Sequence, residues 1–346
     1  MRAMDARRSQ EALVSPTPDT RPGAPPVDRP APAIGEAIRP GGPPAVIAAP
    51  APEVDVDALF TTAPSAKGWL IVLAGPPKYG KTTWCLGAPR PTWILTDRGG
   101  LKSAPDSTPR LIPESWEDIP RTLTALRDKP HKFGSIVLDT VFKAEAMLVR
   151  HLLKKDNKDS LRKVGGGYGT GQEWVAGEIN RIVDLLIQLN EKGIHTIVIS
   201  QTEVKTVKDA VLDDYEKTAL AMSKQTALIW AAAADVNMYV QPEIKERDRI
   251  ETGKDQADRV KVDFTGKSIC HVRSAPGIEA GNRLFLDSPI TYSWAALEIG
   301  AAEGADIREK LFAKLATLNG RARAAADFDL NAAGWSRAAA LKIING

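Results

Sequence analysis

Apolar residues in this chain cluster in short unbroken runs, separated by stretches in which they recur every three or four positions. Four runs stand out: Trp69 to Ala74, Pro91 to Thr96, Ser135 to Leu138 and Ile194 to Ile199. Unbroken runs of this length, rich in Ile, Val and Leu, suit strands covered on both faces, which is how parallel sheets are built. Arg110-Leu111-Ile112 fits a further, shorter strand. Between the runs, the spacing predicts helices over Thr82 to Ala88, Ser115 to Asp128, Val141 to Leu153 and Gln172 to Lys192. The last is the clearest, with Trp174, Ile179, Ile182, Leu185, Leu186 and Leu189 on one side and Gly193 as its stop. Strand and helix thus alternate, the pattern of an α/β fold. Thr202 to Thr226 reads as a long mixed loop, Ala227 to Ala234 as a helix and Asp235 to Val240 as a strand. Gln241 to Gln256 reads as a charged tip. Arg259 to Phe264 and Lys267 to Arg273 read as two strands paired with each other, and a short helix opens at Tyr292 to Glu298. From Gly300 onward the chain is alanine-rich and helix-prone, broken at Asn319-Gly320 and at Asn331 to Gly334.

Candidate chemistry sits where the apolar runs end. The first runs into Gly75-Pro76-Pro77-Lys78-Tyr79-Gly80-Lys81-Thr82-Thr83, which fits G-x-x-x-x-G-K-[ST], the P-loop. Its glycines let backbone N–H groups converge on phosphates at a helix start. Lys81 is placed to reach the β- and γ-phosphates, and the Thr82 hydroxyl to take a position on Mg²⁺. The third run ends in Asp139-Thr140, a Walker B arrangement whose carboxylate serves the same ion through its water. The second ends in Asp97 and the fourth in Gln201, a candidate sensor of the γ-phosphate. A strand-ending glutamine with no such role is the plainer alternative. His195 opens its strand, where a structural role is the simpler reading.

Composition changes the picture at three places. Residues 1–63 carry about half of the chain's prolines and few aromatics, which predicts a disordered Pro/Ala-rich arm with a brief docking turn at Val54 to Phe60. A basic segment, Lys154, Lys155, Lys158, Arg162 and Lys163, leads into a glycine-rich loop holding Tyr168. Positive charge and an exposable ring suit single-stranded DNA; a solvated helix end with a mobile loop accounts for them equally well. Lys205, Lys208, Lys217, Lys224 and Tyr215 offer a second basic set, diluted by Asp209, Asp213, Asp214 and Glu216. The net charge of +3 decides nothing about nucleic acid. Cys85 and Cys270 form no disulfide or metal pattern, and the start of the chain lacks a signal-peptide core, so a reducing, cytoplasmic setting is expected. No membrane span is expected either.

Together these residues resemble the RecA-like P-loop ATPases of phages that act in single-strand annealing or recombination. The resemblance covers Lys67 to Gly300. It rests on the P-loop with the short helix ending at Ala88-Pro89, on the next strand leading to Gly99-Gly100-Leu101, on Asp139-Thr140 with Tyr168-Gly169 later, and on Arg273 to Gly277 with Ala280 to Leu284. It implies a RecA-like core of mostly parallel strands with helices on both faces and a late antiparallel pair. It also implies ATP and Mg²⁺ as cofactors, DNA as partner and a ring or filament of copies. In such an assembly Arg273 and Arg283 are candidates to reach a neighbour's phosphates. Where the family pattern has a water-activating glutamate before the Gly-Gly pair, this chain has Arg98, with Asp97 one residue earlier. Asp97 is then the available base. Two rival readings stay open: a nucleotide-dependent switch with little hydrolysis, and a P-loop phosphotransferase acting on a small molecule. The helical tail, residues 301–346, is expected to be a separate appendage.

Overall fold

The computed structural model describes residues 67–97, 99, 102, 104–208, 215–250, 259–275 and 277–346, without the side chains of 215, 246–250 and 259–262. The expected arm over residues 1–63, and Arg98, Gly100, Leu101, Asp209, Asp213, Asp214 and Pro276, lie outside the described residues.

Eight strands form one sheet. In chain order its parallel members are β1 (Leu70–Ala74), β2 (Pro91–Leu95), β3 (Arg110–Leu111), β4 (Ser135–Asp139), β5 (His195–Ser200) and the first part of β8 (Val236–Ile250). Across the sheet they run β8-β1-β5-β4-β2-β3, so β1 lies between β5 and β8, with β4 beside β5. The helices between them are α1 (Lys81–Cys85), α2 (Asp118–Asp128), α3 (Val141–Lys155), α4 (Thr170–Glu191) and α5 (Lys224–Ala233). Period-two alternation divides β1 between two cores. Leu70 and Val72 face a cluster with Ile119, Leu148, Ile179 and Trp230 from α2–α5. Ile71 and Leu73 face Trp84 and Cys85 of α1, joined by Trp294 and Leu297 of a later helix. Both faces are covered, which explains the unbroken apolar runs. The α/β class, the mostly parallel sheet and the helices on both faces are therefore as expected, and late antiparallel pairs are present too, though Thr202–Val207 with Tyr215–Leu220 and β8 with Arg259–His271 form them.

Three segments differ from the sequence expectation. The described residues of Thr202 to Thr226 are mostly strand: β6 (Thr202–Val207) and β7 (Tyr215–Leu220) pair antiparallel as a hairpin, followed by the start of α5, and residues 209–214 lie outside the described residues. Charged and β-branched residues are mixed along the hairpin, with Glu203, Val204 and Thr206 exposed and Lys205 and Lys217 half-buried, so alternation in hydrophobicity is weak. Gln241 to Ile250 is strand rather than tip, because β8 continues to Ile250, and residues 251–256 of the expected tip lie outside the described residues. The expected pairing of Arg259 to Phe264 with Lys267 to Arg273 also fails: both belong to β9 (Arg259–His271), which pairs antiparallel with β8. Thr265-Gly266 had the look of a turn. Gly266 instead takes φ 78° in a bulge between the pairs Pro242–Ser268 and Ile244–Phe264, which absorbs the extra residues without reversing the chain.

A short strand, β10 (Gly281–Asn282), edges the sheet beside β8. Then α6 (Trp294–Thr317) runs straight through Gly300, and α7 (Gly320–Ala332) and α8 (Arg337–Asn345) follow at the anticipated breaks. Ile307, Leu311 and Leu315 of α6 build a small core with Leu330 and Ala340. Among the described residues no helix is long and apolar enough to cross a membrane. Cys85 and Cys270 are both free and buried.

Candidate nucleotide site

β1 delivers the chain to Gly75 in close contact with β8: a Cβ at Gly75 would stand 2.5 Å from the Val240 side chain and carbonyl. Only glycine fits. The loop then turns through Gly80 at φ 70°, a left-handed conformation that costs other residues more, and Gly80 accepts the first helical bond from Trp84 N at 2.8 Å. Lys81 is buried on the first turn of α1, and its ammonium donates to Gly75 O at 2.7 Å and Pro76 O at 2.6 Å. The lysine thus crosses the mouth of its own loop. Burial pulls its pKa down to about 8, against the opposing pull of the Asp139 charge.

The end of β4 meets this turn. Thr82 Oγ1 donates to Asp139 Oδ2 at 3.1 Å. Burial raises the Asp139 pKa; the Thr82 bond opposes that, the Asp97 charge adds to it and Lys81 lowers it. Lysine, threonine and aspartate, 57 residues apart at the extremes of the hydroxyl–carboxylate bond, therefore share one spot at the C-terminal edge of the sheet. The donor set suits a magnesium ion, which wants few protein oxygens and keeps several waters.

Asp97 comes to the same edge. Thr96 N and Asp97 N both donate to Asp139 O, at 2.9 and 3.1 Å, and Thr96 Oγ1 ties to both sides of the Thr140 peptide. The Asp97 carboxylate, however, accepts from Gly99 N at 3.1 Å and so closes its own turn. Gln201 follows β5 directly, and Ser200 pairs in register with Ala74, the last residue before the P-loop. Its carbonyl accepts from Ala221 N at 2.9 Å, where the β6–β7 hairpin closes.

The other candidates lie elsewhere. Arg283 contacts Ala232 O, Ala233 O and Asp235, at the opposite end of β1 from the P-loop, since Asp235 N donates to Leu70 O at 2.8 Å. Arg273 donates to Ala333 O and Gly334 O in the helical tail. Lys154 and Lys155 are exposed at the end of α3, and Lys158, Arg162 and Lys163 are exposed on the segment after it. Lys163 is paired with Asp159 at 2.7 Å. Tyr168 is fully exposed, in a run of five residues from Gly165 to Gly169 that all have positive φ, which is why glycines fill four of the places. His195 is structural: it accepts from Trp69 N at 3.2 Å and packs on Trp69 and Trp294.

The sequence reading missed one wall of the site. A cleft of about 670 Å³ opens beside the P-loop, lined by Tyr79, Trp84, Phe264, Lys267 and Tyr292. Trp84 and Tyr292 are stacked, 6.1 Å apart and 11° from parallel. Burial also drives the Tyr292 hydroxyl pKa strongly upward. Trp84, two residues past Thr82, was open to notice; Phe264 and Tyr292 carry no signal in the sequence, because β9 and the start of α6 reach the loop only through the fold.

Sheet order, phosphate loop and the paired hydroxyl and carboxylate define a P-loop nucleoside triphosphatase fold. A family profile described as an AAA domain matches residues 67–284, and the chain belongs to that family. No curated protein matches the sequence. Solved structures do match, among them the crystal structure of the RadB recombinase at 16% identity, covering 52% of this chain and 79% of that one with a TM-score of 0.31. An overlap so loose bears on nothing further.

Proposed function

We propose that this domain binds ATP with Mg²⁺, hydrolyses it, and couples the nucleotide's state to single-stranded DNA in phage-type recombination or annealing. The observation that carries the reading is the Thr82–Asp139 bond with the Lys81 ammonium beside it. Thr82 and Asp139 would hold a magnesium ion, whose chemistry there would be to neutralise charge on the transferred group. Thr82 would give up its proton contact with Asp139 and turn its oxygen to the ion, while Asp139 holds an ion-bound water. Lys81 would leave Gly75 O and Pro76 O for the phosphates. The aromatic cleft beside the loop offers a face for the base. Asp97 would orient the attacking water and Gln201 would meet the γ-phosphate. Arg273 and Arg283 lie away from this chain's own loop, so any phosphate they meet belongs to a neighbouring copy in a ring or filament. DNA contacts fall to Lys154, Lys155, Lys158, Arg162, Lys163 and Tyr168.

A second reading has one observation in its favour. The Asp97 carboxylate is engaged by Gly99 N, which leaves it less free to serve as a base and favours a slow enzyme that uses nucleotide as a switch. Steady-state ATP turnover with and without single-stranded DNA separates these. DNA-stimulated turnover that disappears in Lys81→Ala supports the first. Binding without turnover supports the second. Turnover indifferent to DNA and to Lys81 defeats both.

A further inference from the structure

A second hollow, away from the P-loop cleft, lies under the β6–β7 hairpin. It measures about 330 Å³. Its floor is Val72 and Ala74 of β1 with Asn237 and Tyr239 of β8 beside them, and Leu220, Ala227 and Ala231 contribute walls. Interiors are close-packed, and a void of this size over central strands is not an ordinary packing defect. It has instead the volume and apolar lining of a binding pocket.

The polar groups around it are chiefly cationic. Lys205 of β6, Lys217 of β7 and Lys224 of α5 all line it, against one lining carboxylate, Glu279. Lys217 is 3.5 Å from Glu279, and Lys205 pairs at 2.8 Å with Glu203 on its own strand. Lys224 is exposed and makes no ion pair among the described residues. On the next turn of α5, Leu228 also lines the hollow and is 56% exposed, which carries the apolar surface outward. With Glu203 serving Lys205 and Glu279 serving Lys217, the Lys224 ammonium is the one charge at the rim without a carboxylate among the described residues, so the rim carries a net positive charge. A nucleic-acid phosphate would meet the lysines but leave the apolar floor to an inserted base. An acidic peptide bearing a bulky apolar side chain satisfies both features.

We propose that this hollow is a docking site for an acidic segment of a partner protein. One large apolar side chain enters beneath the hairpin, and flanking carboxylates engage Lys205, Lys217 and Lys224. The proposal stands apart from ATP hydrolysis, since the site shares no side chain with the phosphate loop.

Fluorescence anisotropy on the full chain tests it. The probes are a labelled acidic hexapeptide with one phenylalanine, a twin with serine in that place, and an unlabelled single-stranded oligonucleotide as competitor. The phenylalanine peptide should bind at least about tenfold more tightly than its twin. Ala231→Phe, which fills the hollow, should weaken it by a similar factor, and so should Lys224→Glu. Lys224 is exposed, so its reversal decides the matter if Ala231→Phe does not fold, as judged by circular dichroism. Absence of binding at millimolar peptide, equal affinity for the two peptides, or unchanged affinity in Lys224→Glu would overturn the proposal. Displacement by the oligonucleotide, with Lys224→Glu weakening the oligonucleotide alone, would assign these lysines to nucleic acid instead.

Discussion

At the scale of single residues, what matters is which charges the fold brings into one dry place. Lys81 and Asp139 are both buried and of opposite sign, and Thr82 is bonded to the acid. Asp139→Asn keeps the shape but removes the charge proposed to hold the ion's water, so turnover should fall about 100-fold or more with the fold intact. Asp97→Asn separates base from bystander: a loss of about 10²–10⁴ in turnover is expected of a general base, and an unchanged rate removes Asp97 from the chemistry. His195 makes a different prediction. Burial between two indoles holds its pKa below the ordinary 6.5, with the Glu298 charge opposing. As pH falls, the unfolded chain takes up this proton before the native state does. The stability due to the neutral ring is therefore complete above about pH 6.5 and is lost as pH falls through the lowered native value. His195→Phe should flatten the fall in Tm between about pH 7 and 5; an equally steep fall would assign it to other groups.

At the scale of elements, small residues decide how closely helices approach. Gly304 in α6 has the Leu284 carbonyl 1.9 Å from where a Cβ would be, so Gly304→Ala must push α6 from that segment. A loss of about 1–3 kcal/mol in a urea titration is expected. Gly177 in α4 is exposed with nothing within 4 Å, and Gly177→Ala should stabilise by about 0.5–1 kcal/mol through helix propensity alone. The parallel strands and their helices could be read from the sequence because each carries its own period and its own stop, such as Gly193 after α4. The β6–β7 hairpin and the length of β8 and β9 could not. Charged and apolar residues are mixed along them and their partners are distant, and in β9 a glycine bulge imitates a turn.

For the molecule as a whole, the question is whether the nucleotide site and the proposed DNA surface communicate. β4 ends in Asp139, and α3 begins two residues later and carries Lys154 and Lys155 at its far end. Tyr168 stands just before α4, whose end leads into β5 and Gln201. Two continuous paths thus join the proposed DNA contacts to the phosphate edge. Tyr168→Ala should weaken single-stranded DNA binding about tenfold, with the loss the same across sequences because stacking is tolerant of base identity. Replacing Lys154 and Lys155 by glutamine should lower the slope of log affinity against log salt by roughly one to two. Unchanged slopes would move the phosphate contacts elsewhere, with Lys205 and Lys217 the next set to test.

The sequence alone determined the phosphate loop, the acid that closes β4 and the order of strand and helix, since each depends on residues adjacent along the chain. It also located Asp97 and Gln201 at strand ends, because in a parallel sheet consecutive strands finish on the same edge. Only tertiary structure decided that Phe264 and Tyr292 line the cleft beside the loop, that Arg273 and Arg283 face away from it, and that three lysines from three elements ring one apolar hollow. Those placements follow from strand pairing and helix packing between residues far apart in sequence, where no local period records which neighbour each will meet.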